Sequence, residues 1–297
     1  MSTTFTIGQA EAGEWRTALE FAYRRAPGEI RSEQVRHALQ LIDAGTIDPA
    51  GIWVARKGNA ITGVQIAVPL GGAAFLFWLP EADDPAQTDA LVEAALHWCR
   101  DQGGKLAQAI VAPADAGPAA ALLRHGFTRI TQLRYLAHDL QSLPREPETA
   151  IRCEPLSDAN ESVFRQTLER TYEGTLDCPE LNGIRTIDEI LAGYRSAGHF
   201  HPDQWWLIRA DEEPAGVVIL TELPECTAWD LSYVGVVPEQ RRRGIARAAV
   251  CRVLTTVADS VSELLVAVDE RNQPARQLYA DLGFRETALR DVCLHFF

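Results

Sequence analysis

The chain has 297 residues, 46% hydrophobic and 23% charged, with 28 Lys plus Arg against 41 Asp plus Glu. This is a globular composition with room for about two domains, which excludes disordered and fibrous classes. A net charge of −13 disfavours nucleic acid as a partner, because a polyanion is not drawn to an acidic surface, and suits a cationic substrate better.

Residues 1–10 hold no basic cluster followed by an apolar run, and no apolar stretch reaches spanning length. A cytoplasmic protein with no membrane partner is expected. The six cysteines, Cys99, Cys153, Cys178, Cys226, Cys251 and Cys293, form no CxxC pair. Reduced thiols and no metal are the expectation.

In chain order, residues 11–25 and 32–44 read as helices. A hairpin follows, with strands at 52–56 and 63–68 around the turn Lys57-Gly58-Asn59. Then come a strand at 73–79, a helix at 84–100, a strand at 106–111, a short helix and a last strand. Residues 141–150 carry two prolines and alternating charge, as linkers do. After them the order repeats: helices at 157–172 and 186–197, a hairpin at 205–209 and 216–220, a strand at 228–237, a helix at 242–258 and a strand at 264–268. Gly63 in the first hairpin corresponds to Gly216 in the second. Leu122-Leu123-Arg124-His125-Gly126-Phe127 corresponds at nearly the same spacing to Tyr279-Ala280-Asp281-Leu282-Gly283-Phe284. Two echoes at one spacing predict a tandem duplication, with domains at 1–140 and 151–297. Each is expected to be an α/β (α+β) domain, a mixed central sheet flanked by helices.

The sharpest signal is Val234-Gly235-Val236-Val237-Pro238-Glu239-Gln240-Arg241-Arg242-Arg243-Gly244-Ile245-Ala246, an apolar strand running through a basic turn into an amphipathic helix. The first N–H groups of a helix lack partners within it, and the dipole adds positive character there. Gly244 and Ala246 leave the backbone open to close approach. The arrangement predicts a pyrophosphate cradle. Farther on, Asn272 is a helix N-cap followed by Pro274, and Gly283 ends that helix.

These residues resemble the GCN5-related N-acetyltransferase (GNAT) superfamily, over roughly 151–297. The family pattern Arg/Gln-x-x-Gly-x-Gly/Ala is met by Arg241-x-x-Gly244-x-Ala246. Val236-x-Pro238 and Asn272…Ala275…Leu278-Tyr279…Gly283-Phe284 also match. The resemblance implies transfer of an acetyl group from acetyl-CoA to a primary amine of a small molecule or peptide, by direct attack, with no metal. It implies that the backbone of Val234, Gly235 and Val236 pairs with the pantetheine arm. The amides of Arg241, Arg242, Arg243, Gly244, Ile245 and Ala246 would bind the pyrophosphate. Asn272 would contact the pantetheine or order the last loop, and Tyr279 would protonate the departing thiolate.

The base is expected to be Asp230, at even spacing from Ser232, Val234 and Val236 unless a bulge intervenes; Glu222 and Glu225 compete. Asp177 and Glu180 are expected near the acceptor, with Glu222, where they could bind a cationic group. In the first half, Glu81-Ala82-Asp83-Asp84 stands where the cradle would be, and Leu122 at the position of Tyr279. That half is expected to be a degenerate GNAT domain. The tandem arrangement is similar to that of the mycothiol synthases. A non-catalytic acyl-CoA-binding sensor is the alternative, and the chain is expected to be a monomer or homodimer. His199-x-His201 is read as a loop flanking the Trp205 strand, because no third metal ligand stands at a recognisable spacing.

Overall fold

The computed structural model describes residues 4–223 and 227–297. The chain divides into two compact units, Met1–Ile130 with Asp291–Phe297, and Thr131–Arg290.

The first unit contains β1 (Thr6–Gln9), α1 (Trp15–Ala22), α2 (Gly28–Asp43), β2 (Ile52–Lys57), β3 (Ala60–Leu70), β4 (Ala74–Phe77), β5 (Glu81–Ala82), α3 (Pro85–Asp101), β6 (Leu106–Val111) and α4 (Ala116–Arg124). β7 (Thr128–His138) begins there and runs into the second unit. β1 to β4 pair in antiparallel fashion, and α3 makes the crossover to parallel β6. Successive strand residues face opposite ways, so each sheet face collects its own core. Val64, Ile66 and Val68 pack under α1 and α2 with Leu19, Val35 and Ile42. Ala67, Phe75 and Phe77 pack under α3 and α4 with Val92, Leu96 and Leu122.

The second unit repeats this plan with β8 (Arg152–Pro155), α5 (Glu161–Thr171), α6 (Ile187–Ser196), β9 (Trp205–Ala210), β10 (Glu213–Leu223), β11 (Ala228–Val236), α7 (Ile245–Val257), β12 (Glu263–Asp269), α8 (Gln273–Asp281) and the start of β13 (Arg285–Phe296). Trp205 and Trp206 point to opposite faces, one under α5 and α6 and the other under α7. Each unit therefore opens with a short strand, β1 or β8, that the sequence pattern does not announce. No described helix is long and apolar enough to cross a membrane.

The compact units differ from the sequential halves 1–140 and 151–297 by an exchange of final strands. From Leu133 to His138, β7 pairs antiparallel with β12 of the second unit, in register from Asp269 to Leu264. From Asp291 to Phe296, β13 pairs with β6 of the first unit, from Val111 to Leu106. Each strand satisfies the backbone groups of the other half's sheet, and Cys293 enters the first unit's core.

Deleting residues 291–297 should therefore strip β6 of one neighbour. Hydrogen exchange at Leu106–Val111 is expected to accelerate strongly while β9 and β10 stay protected. Unchanged exchange at β6 would contradict the exchange of strands.

Candidate active site

The site begins with a defect in the β10–β11 ladder. The register slips between Ile219↔Tyr233 and Leu220↔Leu231, leaving Ser232 as an extra residue on β11. A bulge of this kind bends the strand and inverts its facing pattern. Before it, Trp229 and Leu231 join the core under α7; after it, Val234 and Val236 do so. Tyr233 turns the other way, into the core under α5. Asp230 and Ser232 therefore lie on the α5 face, away from Val234 and Val236, and the even spacing of the four residues does not place them on one side. Ser232 Oγ donates to Asp230 Oδ2 at 2.7 Å and lies 2.8 Å from Thr221 Oγ1. Burial pushes the Asp230 carboxyl pKa up, against the lowering effect of that hydrogen bond.

The bulge coincides with a parting of strands. β11 pairs with β12 only from Ala228↔Glu263 to Asp230↔Leu265. β12 then continues to Asp269 along β7, while β11 follows β10 to Val236. A wedge opens between them, and among the described residues no strand covers that side of β11 past Asp230. Along 234–236 the strand keeps β10 on one side and Arg241 on the Val236 carbonyl, and the backbone groups that face the wedge can be completed by an extended ligand.

Past Val236 the chain runs through the turn Pro238–Gln240 to the start of α7. Gly244 is the N-cap at φ 81°, a left-handed conformation that carries little penalty only for glycine. Gly244 offers no side chain to cap the helix, so the amides of Ile245, Ala246 and Arg247 retain their capacity for an anion. A Cβ on Gly244 would lie 2.8 Å from Thr149 Oγ1. The three arginines do different work. Arg241 turns inward and donates to the carbonyls of Thr171, Glu173, Gly174 and Val236, bracing the end of α5 against the end of β11. Arg243 pairs with Asp211 and Gln240. Arg242 is exposed, with backbone φ 65°.

Tyr279 lies on α8, buried edge-on to Phe284 at 5.3 Å between ring centroids. Burial raises its hydroxyl pKa, and the nearby charges of Asp177 and Asp230 raise it further. The phenol therefore stays protonated at neutral pH, within the electrostatic reach of both carboxylates. Asn272 caps α8, accepting from Ala275 N at 3.3 Å, and its Nδ2 donates to Asp177 Oδ2 at 3.5 Å. Burial, then the neighbouring Asp269, pushes the Asp177 carboxyl up to about 6.

Asp269, at the end of β12, organises this corner. It is fully buried and accepts from Thr131 Oγ1 at 2.7 Å, Cys178 N at 3.0 Å and the Arg271 guanidinium at 2.7 Å. Those bonds hold its carboxyl near 2 against burial. Cys178, at φ 41°, is thereby fixed next to Asp177; burial pushes its thiol up, so it is not an activated nucleophile. Glu180 is taken by Arg271 at 2.7 and 3.0 Å, an ion pair that leaves it no free carboxylate for a cation. Glu222 stands on the opposite sheet face from Thr221 and Asp230, 2.7 Å from His201 Nε2. Glu180 and Glu222 are thus each engaged by a cationic or imidazole partner, apart from the pairs Asn272–Asp177 and Ser232–Asp230. Glu225 and Cys226 lie outside the described residues. The tyrosines Tyr172, Tyr194 and Tyr233, packed together under α5, form an aromatic wall that sequence spacing did not reveal.

The first unit contrasts at each point. Asp84 caps α3 itself, accepting from Gln87 N at 3.1 Å, so the helix start is already occupied by a carboxylate. Glu81 is buried between Arg24 and Arg25. Leu122 fills the place of Tyr279 with an apolar core side chain.

A half-buried carboxylate held near 6 costs stability when ionised. Asp177 is raised above its unfolded value, so its contribution is intact below about 4 and lost as pH rises through about 6. Asp177→Asn should stabilise the protein at pH 7.5 by up to about 3 kcal/mol, with the gain vanishing by pH 4. Denaturant melts at the two pH values check this; an equal difference at both would contradict it.

Residues 168–284 match the family model described as Acetyltransferase (GNAT) family. No curated protein matches the sequence. Among solved structures, a GCN5-related N-acetyltransferase from Sphaerobacter thermophilus is 15% identical, with a TM-score of 0.67 over 98% of this chain and 95% of that one. A tandem GNAT protein from the clavulanic acid biosynthesis pathway is 16% identical, with a TM-score of 0.56 over 99% and 98%. A putative acetyltransferase from Pyrococcus horikoshii is 10% identical, with a TM-score of 0.54 over 100% and 90%. These likenesses are to the superfamily and do not single out the mycothiol synthases. The chain carries the fold of the GNAT superfamily, with the acetyltransferase family match centred on its second unit.

Proposed function

We propose that the second unit is an acyl-CoA-dependent N-acyltransferase, acting with acetyl-CoA on a primary amine of a small molecule or peptide. The observation that carries this reading is the wedge between β11 and β12 ending at the uncapped start of α7. One ligand shape fits both parts: an extended amide-bearing arm for the strand edge and a pyrophosphate for the helix start. The first unit lacks the second part, since Asp84 occupies its helix N-terminus.

When bound, acetyl-CoA supplies a thioester activated toward a neutral amine. Val234 to Val236 hold the arm through their backbone, and the amides around Gly244 hold the pyrophosphate. Asp177 attracts the ammonium form of the acceptor beside the tyrosine wall. Asp230, steadied by Ser232, takes the proton that must leave before the nitrogen can attack. As the new C–N bond forms and the C–S bond breaks, Tyr279 Oη supplies a proton to the sulfur. Its burial keeps that proton in place at neutral pH. Two half-buried carboxylates with raised pKa, and a protonated phenol that feels the charge of both, fit acid–base transfer better than passive binding of an acyl-CoA.

The test is a panel of primary amines with acetyl-CoA, read as free thiol release. Tyr279→Phe and Asp230→Asn should each lower kcat by roughly 10²–10⁴-fold while CoA affinity is kept. Asp177→Asn should chiefly raise KM and remove the rise of kcat/KM with pH near 6. Binding of acetyl-CoA with no thiol release from any amine would favour a non-catalytic sensor.

A further inference from the structure

A separate cluster forms on the other face of the second unit's sheet, where the segment after α6 meets the end of β10. His199 is bridged to Glu222 in antiparallel fashion, and its N–H donates to the Glu222 carbonyl at 3.2 Å. Gly198 makes this approach possible: a Cβ there would lie 2.5 Å from the Glu222 carbonyl oxygen and 2.6 Å from Thr221 Cγ2. The two segments are thus locked together through their backbones. Residues two apart on an extended segment project to the same side, so His199 and His201 both reach the carboxylate of the bridged residue. His201 Nε2 lies 2.7 Å and His199 Nδ1 3.5 Å from Glu222 Oε2. The His201 ring leans on Trp229, with centroids 5.5 Å apart.

We propose that His199, His201 and Glu222 bind a divalent cation of the borderline class, with Zn²⁺ as the reference ion. The three donor atoms lie within 4.8 Å of one another. Donors around a tetrahedral zinc stand about 3.3 Å apart, given bonds of about 2.0–2.1 Å, so the histidine-to-carboxylate separations already bracket that spacing. Two imidazoles and one carboxylate are a donor set that suits zinc better than calcium or magnesium, which prefer oxygen. The three side chains are partly exposed, which leaves a fourth position for water or an incoming ligand. The chain carries a net charge of −13, which favours cations over anions at its surface. The ion would fasten the segment after α6 to the rim of β10. This site is independent of the proposed acyl transfer, because Glu222 faces away from Asp230.

The experiment is calorimetric titration of Zn²⁺ into the full chain, free of any polyhistidine tag and stripped with chelator. Wild type should bind one more equivalent than His199→Ala/His201→Ala. The isosteric Glu222→Gln should weaken that equivalent by at least the roughly 10–100-fold that losing even an outer-shell partner costs. Cys178→Ser should leave it intact, which separates it from thiol binding near Asp177 and Asp269. Melting temperature should rise with Zn²⁺ in wild type and not in the double variant. Equal stoichiometry in wild type and double variant, or an unchanged affinity in Glu222→Gln, would overturn the site and leave the pairs as hydrogen bonds.

Discussion

The second unit depends on one failure of hydrogen bonding. A parallel pair of strands that stayed together would satisfy its own backbone and leave nothing for a ligand. Here the pairing of β11 with β12 stops at Asp230↔Leu265. The extra residue Ser232 supplies the bend. It exposes the edge of Val234–Val236, sends Tyr233 toward α5 and sets Asp230 beside Ser232 on the same face. Arg241 then fixes the β11 side, by tying β11's last carbonyl to three carbonyls at the end of α5. One side of the gap is therefore braced against a helix.

The two units show how little separates a ligand site from a plain fold. Both have a strand leading into a helix after the hairpin, and both part their parallel strands early. In the second unit a left-handed glycine begins the helix and leaves its amides open. In the first, Asp84 supplies a carboxylate in place, and Arg24 and Arg25 neutralise buried Glu81. The acidic run at 81–84 does not simply repel an anion; its last member already fills the helix start.

Much of this was legible in the sequence because it rests on local patterns. Gly244 before an amphipathic helix, Asn272 before Pro274, and the repeated hairpins all carry their structural reason within a few residues. What escaped reading was set by distant partners. The bulge at Ser232 is visible only against β10, and it reverses the facing expected for Asp230. Glu180 looked available until Arg271 was placed opposite it, and Glu222 until His201 was. β7 and β13 have similar alternating patterns, so nothing local distinguishes pairing within a half from exchange between halves. Asp269 has no motif; its weight comes from Thr131, Cys178 and Arg271 converging on one buried carboxylate.

The central claim is that one unit, and not the other, holds the cosubstrate through an open strand edge and an uncapped glycine-led helix. Calorimetric titration of acetyl-CoA into the whole chain tests it directly. The account predicts one site per chain, abolished by Gly244→Val, whose side chain would be strained at φ 81° and press on Thr149. Two sites, or a single site that survives Gly244→Val, would contradict it.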